Sequence, residues 1–293
     1  MQPIRKLYFQ NEKGERRGLN GERGVYAKNL AGLGYSSSDS YADIGSGFFS
    51  SSPDVKNVQH NISFVVVLTR YPYPEYQDLV NWISAAEKLT LIYDPAGSGE
   101  FYRDITVKFL QKSELVPPGW LELPCSFVCH TPWYSPTPVY LRISKNEGAN
   151  VKRYSYRYSS KLRYGSDSPN AIRATIYGAG HIPGAFKLAF QGTAVNPVIR
   201  LMGNRSGRVY GTCRIAGTFE PGDTLEYSSL YDDAFVAKVR PDGSREDLLS
   251  ALDLRATPFF RLPVNEPSTL SIEADTEITG QASMMIYRYY RSV

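Results

Sequence analysis

Cys129 and His130 stand side by side, and a thiolate next to an imidazole is the first place to look for chemistry in this sequence. A protein-held zinc needs three or four such ligands at short, regular spacings. The other cysteines are Cys125 and Cys213, the other histidines His60 and His181, and neither of those histidines has a second ligand at metal spacing. No metal is expected. The acidic pair Asp232-Asp233 could hold a cation or share acid–base work, but such a pair is ordinarily a solvated turn. There is no GxSxG, no P-loop lysine motif, no GxGxxG between strand and helix, no HExxH and no CxxC pair. Gly97-Ser98-Gly99 and Gly178-Ala179-Gly180 read as turn glycines. We expect no catalytic residue, no cofactor and no enzyme.

The stretch KRYSYRYSSKLRY, residues 152–164, sets five cationic side chains among four tyrosines. Aromatics between basic groups can grip a single nucleic-acid strand. On a β-strand, however, Tyr154, Tyr156 and Tyr158 share one face and Arg153 and Arg157 the other. That is the pattern of a half-buried strand with a charged outer face, so no nucleic-acid partner is assigned.

These residues need elements to carry them, and composition bounds what those are. A chain of 293 residues suggests two domains. Its net charge of +4 selects no polyanionic partner. Tyr is abundant, with 22 residues; it suits both strands and half-wet interfaces. Cys125 and Cys129 fall on one predicted strand, ~13 Å apart and too far to bridge, so all three cysteines are expected as free thiols made in a reducing cytosol. The N-terminus has no signal-peptide core. The longest purely apolar run, Phe64 to Leu68, is far short of the roughly 20 residues a spanning helix needs.

Along the chain, IRKLYFQ and NISFVVVLT read as strands. Between them, AGLGYSSSDSYADIGSGFFSSSPD (31–54) is half Gly and Ser, yet carries Tyr35, Tyr41, Phe48 and Phe49. A plain linker has no use for those rings, and they are candidate inter-subunit contacts. Then comes one helix: Pro74 suits its first position, and Tyr76, Leu79, Val80, Ile83 and Ala86 form an apolar stripe, Leu79 and Ile83 packing under a sheet. LTLIY, FYRDITVKFLQKSEL (alternating at Ile105, Val107 and Phe109) and LELPCSFVCHT follow as strands. The proline-rich TPWYSPTP, residues 131–138, marks a boundary. Beyond it the pattern is short strands and turns, the mark of a β-sandwich, with SREDLLSAL as a short helical interruption. The fold class is mainly β with one helix-bearing module: an α+β domain over 1–134, then a β-sandwich over 135–293.

The serial order of these segments resembles the distal tail protein (Dit) family of long-tailed, siphovirus-type bacteriophages and related tail-like particles. The segments that carry it are AGLGY, ISFVVVL, YPEYQDLVNWISAAEKLTLIYDP, FYRDITVKFLQKSEL and SFVCHTPWYSP, then YSYRYSSKLRYG, FKLAFQGTAVNPVIRLMG, GTFEPGDTLEY, RPDGSRED and LDLRATPFFRLPVNEPSTLSIEA. The resemblance implies a belt domain at 1–134 that closes a homohexameric ring, and a galectin-like sandwich at 135–293 facing outward. It implies the place of a baseplate hub in the virion tail, with the tail tube protein and the tail-tip (Tal) protein as partners and receptor-binding or baseplate proteins on the outer domain, away from any membrane. It further implies a small, open sheet, braced by the helix, that offers its edges to neighbours. Asn196-Pro197-Val198 has no His and Arg nearby of the kind galectins use, so no carbohydrate site is assigned.

Two other functions are compatible with the same residues. One is a receptor- or glycan-binding sandwich working through its loops. The other is a cell-wall hydrolase, which would need a carboxylate pair in a cleft.

Overall fold

The computed structural model describes residues 5–34, 41–43, 48–50, 60–96, 99–117, 119–144, 171–178, 180–253, 255 and 257–293. It is mainly β, with one α-helix among the described residues. The chain forms two compact units, Met1–Ser135 with Tyr289–Val293, and Pro136–Arg288.

The first unit holds strands β1 (Lys6–Asn11), β2 (Arg16–Gly18), β3 (Val25–Ala31), β4 (Tyr41–Asp43), β5 (Phe48–Ser50), β6 (Asn61–Leu68), β7 (Leu89–Asp94), β8 (Phe101–Leu110), β9 (Leu115–Val116) and β10 (Trp120–Cys129), with the start of β11 (Trp133–Ser144). Leu7 and Phe9 of β1 and Ile62, Phe64 and Val66 of β6 are buried at alternate positions, as a half-buried strand requires. The main sheet runs β2-β1-β7-β8-β10-β6-β3, antiparallel throughout. It is not the open sheet expected. Phe9 on β1 meets Phe64 on β6, four strands away, at 6.0 Å, and both meet Phe127 on β10 at 5.3 and 5.2 Å. Burying these three rings together curls the sheet over itself. Asn20, two residues past the end of β2, bridges to Tyr26 of β3.

Helix α1 (Pro72–Ala85) lies against β6 and β10. It starts two residues earlier than Pro74 predicts. Tyr71 turns the chain in at φ 46°, Pro72 takes the first position, and Glu75 puts a carboxylate in the first turn. Leu79 is buried, whereas Ile83 is only partly covered, alongside Tyr76 and Trp82. Lys88 lies past the helix and pairs with Asp104 at 2.8 Å.

On β8 the predicted alternation breaks. The register against β10 shifts between Ser126 and Phe127, so that Lys108 is an extra residue on β8. Such a bulge reverses the phase of the pleat. Ile105 stays buried, Phe109 turns out to 46% exposure and Leu110 turns partly in. TPWYSPTP is likewise no loose linker, for β11 runs through it. The chain returns at its end: Tyr290 packs edge-on against Phe101 at 5.1 Å, and Tyr289 against Tyr134 at 6.4 Å.

The second unit is a β-sandwich. It adds β12 (Ala171–Ile176), β13 (Ile182–Val195), β14 (Val198–Gly203), β15 (Val209–Arg214), β16 (Thr218–Phe219), β17 (Thr224–Ser229), β18 (Ala234–Val239), β19 (Arg245–Asp247), β20 (Ser268–Glu273) and β21 (Thr279–Tyr290). One sheet runs β11-β12-β20-β14-β15. The other runs β21-β13-β17-β18-β19. Their inner residues share one apolar core, including Ile172, Phe186, Leu201, Leu225, Tyr227 and Ile286. Within it Tyr227 stacks on Phe186 at 5.1 Å and donates its buried hydroxyl to Pro258 O at 3.0 Å. SREDLLSAL divides into β19 and a 3-10 turn, Leu249–Ala251.

Candidate interaction surfaces

The residues that suggested chemistry are given structural work. Cys129 is buried, and burial pushes its thiol up from the ordinary value. His130 Nε2 lies 2.6 Å from Thr106 Oγ1. Asp233 pairs with Lys187 at 2.6 Å. Among the described residues no three His, Cys, Asp or Glu side chains converge on a metal-sized site. Asn196 sits in the β13–β14 turn at φ 50°, donating to Asp275 and accepting from Gly217 N, so its side chain is spent on the turn. The segment 152–164, with Arg153 and Arg157, lies outside the described residues, as does Tyr35.

Asp104 is the main polar node of the first unit. Its carboxylate accepts from Thr90 Oγ1 at 3.0 Å and Tyr134 OH at 2.9 Å and pairs with Lys88. Next to it Arg103 is fully buried, its guanidinium over the Trp133 ring at 5.5 Å and its Nε donating to Thr131 O at 2.9 Å. Desolvation holds Arg103 below its ordinary pKa. These bonds fix the start of β8 firmly against β7 and the first residues of β11.

Farther along, β8 loses its neighbour on one side. β7 pairs with it only from Phe101 to Ile105, while β10 pairs from Ile105 to Leu110. Thr106–Leu110 therefore has no strand on its second side among the described residues. His130 N donates to Asp104 O at 2.9 Å. Antiparallel pairs alternate in direction, so Thr106 faces β10 and the Val107 N–H and C=O face the open side. Helix α1 flanks that side, leaving a groove of about 330 Å³ lined by Val80, Ile83, Leu89, Val107 and Leu110. The half-covered Ile83 is explained by this groove. The sequence carries no signal for it, because it arises from the bulge at Lys108 and from where β7 begins.

A second exposed surface gathers at the other end of the helix. Tyr71 is 71% exposed, and Tyr73, Leu115, Val116 and Trp120 are exposed with it. Lys112 sits over Tyr73 at 4.9 Å and Tyr76 at 5.5 Å. The region that suggested anchors contains the β4–β5 hairpin, which pairs Tyr41 with Ser50, Ala42 with Phe49 and Asp43 with Phe48. It joins no other strand among the described residues.

The first unit is thus a curled, helix-braced β unit with an open strand edge on β8, and the second is a β-sandwich. The family model described as distal tail protein, N-terminal domain, matches residues 6–130, nearly the whole span of the first unit before the boundary. Over those residues the chain is similar to the N-terminal domain of the distal tail proteins. Among solved structures it is similar to a chain of the phage P2 baseplate in its activated conformation with calcium, at 15% identity and TM-score 0.65, covering 99% of this chain and 100% of that one. It is also similar to the Dit protein of phage SPP1, described as a paradigm of the hub adsorption apparatus in phages infecting Gram-positive bacteria, at 10% identity and TM-score 0.53, covering 96% and 98%. At these identities the likeness is one of fold. No curated protein matches the sequence. No helix among the described residues is long and apolar enough to cross a membrane.

Proposed function

We propose that this protein is the non-enzymatic hub of a phage tail tip, six copies closing a ring through the first unit. The ring joins the last ring of tail tube protein to the tail-tip (Tal) protein. The second unit is its outward, galectin-like domain and the anchor for receptor-binding or baseplate proteins. The observation that carries this reading is the family match on residues 6–130, which falls on a unit with its own core. The open edge of β8 supports it further: unpaired strand edges are a liability in a lone subunit and become an interface in a closed ring. Tyr41, Phe48 and Phe49 are proposed inter-subunit contacts, and Tyr35, which lies outside the described residues, remains a candidate with them.

Native mass spectrometry of the full-length protein tests this. A six-fold species is expected, and a protein that stays monomeric at every concentration contradicts the ring. A glycan array with the full-length protein should be silent, since the Asn196 side chain is committed to its turn.

A further inference from the structure

The first unit is not one continuous piece of chain. It holds Met1–Ser135 and then Tyr289–Val293, with the whole sandwich, Pro136–Arg288, between them in the sequence. Strand β21 begins in the sandwich, paired with β13, and its last residues belong to the first unit. There Tyr289 is buried, and Tyr290 and Val293 pack against the first unit's core. Tyr290 meets Phe101 at the start of β8, and Tyr289 meets Tyr134, which is itself paired with Tyr102. Residues that follow the sandwich in the chain thus complete the end of the first unit that holds β8 and the start of β11.

The sandwich fixes where those residues are delivered. Arg288, just before them, donates through Nη1 to Thr137 Oγ1 at 2.9 Å, through Nε to Gly178 O at 3.1 Å and through Nη2 to Tyr177 O at 3.3 Å. All three partners belong to the sandwich, and Thr137 lies where the chain enters it. While the sandwich is folded, its points of entry and exit are held within hydrogen-bond reach of each other. When it unfolds, Tyr289–Val293 hang at the end of one long loop, and closing a longer loop costs more entropy.

We propose that Tyr289–Val293 act as a strap by which folding of the sandwich is transmitted to the first unit. The folded sandwich presents the strap at high effective concentration, and the unfolded sandwich withdraws it. The first unit therefore reaches its full stability only in a chain whose sandwich has formed, and a chain cut short within the sandwich carries a first unit without its strap. The device works within one chain and does not depend on the ring.

Tryptophan fluorescence isolates the first unit, because all three tryptophans, Trp82, Trp120 and Trp133, lie in it. Urea unfolding of the full-length protein is compared with that of two variants. Tyr289→Ala with Tyr290→Ala removes the rings of the strap. Leu225→Asp puts a charge into the sandwich core and unfolds it. Each should lower the fluorescence midpoint by a similar amount, roughly 1 M urea. All three substitutions together should lower it no further than Leu225→Asp alone, the mark of changes acting through one contact. A midpoint left at its native value by either variant would overturn the inference, as would effects that add in the combined protein. Should Leu225→Asp yield no folded protein, Arg288→Ala releases the strap with the sandwich core intact. Amide exchange over residues 102–105 should then quicken roughly tenfold while that of β17 holds, and unchanged exchange at 102–105 would also overturn it.

Discussion

Gly192 on β13 and Gly280 on β21 press against each other's strands. A Cβ on Gly192 would lie 1.9 Å from Thr279 O, and one on Gly280 would lie 2.1 Å from Gln191 O. Neither backbone can yield without displacing the other. Gly280 is also at φ 127°, where a side chain is strained on its own account. Gly280→Ala should therefore destabilise the sandwich by about 2 kcal/mol or more. Calorimetry should show its transition falling by roughly 4 °C or more, and an unchanged transition would mean the two strands do not approach so closely in solution.

Acid should weaken the loop before β15. Glu266 accepts from the hydroxyls of Tyr210 and Ser206 and from the backbone N–H groups of Arg205 and Ser206. These bonds, the Tyr210 hydroxyl foremost, hold its carboxyl down to about 2 from the ordinary 4.5. A carboxyl lowered in the folded state adds stability that is complete above the unfolded value and is lost as pH falls through the folded one. The loss should thus run between pH 4.5 and about 2. Urea midpoints measured across that window should drop more steeply for the native protein than for Glu266→Gln.

The helix should depend on Leu79 above its other side chains. Leu79 is its buried residue, while Ile83 opens on the groove and Gln77 is exposed. Leu79→Ala should cost about 3 kcal/mol of first-unit stability. Ile83→Ala should cost roughly half as much, and Gln77→Asp should stay within about 0.5 kcal/mol. Equilibrium unfolding of the three variants gives the order, and an Ile83 effect as large as that of Leu79 would refute the partial burial.

The thiols should be silent in the folded protein. Burial pushes Cys125 and Cys213 up to about 12 and raises Cys129 as well. The thiolate is the reactive form. Native protein at neutral pH should resist iodoacetamide at all three, and denatured protein should take up three equivalents, matching three free cysteines. Mass spectrometry reads both.

The last five residues should matter to the first unit. Tyr289 and Tyr290 pack on Tyr134 and Phe101. Ending the chain after Arg288 removes both ring contacts and should cost the first unit about 2 kcal/mol. Its melting transition should move down while that of the sandwich is much less affected.

Several features follow from the sequence because they are local. The alternation in KLYFQ and NISFVVVL marks strands, and the stripe through Tyr76, Leu79 and Ile83 marks a helix, since each period is written in neighbouring residues. The serial order of the segments, which resembles the distal tail proteins, is legible in the same way, and the family model matches it over residues 6–130. Other features depend on residues far apart in the chain. Phe109 fits the alternation of its strand and faces out only because Lys108 bulges against β10. The curl that brings Phe9 to Phe64 comes from burying rings of three strands at once. The groove beside Ile83 exists because β7 begins opposite Ile105 and leaves the rest of β8 without a neighbour. The return of Tyr289 and Tyr290 to the first unit joins the two ends of the chain. A sequence records the pattern within each strand, but which strand lies opposite which, and where a pairing stops, is decided by the packing of the whole core.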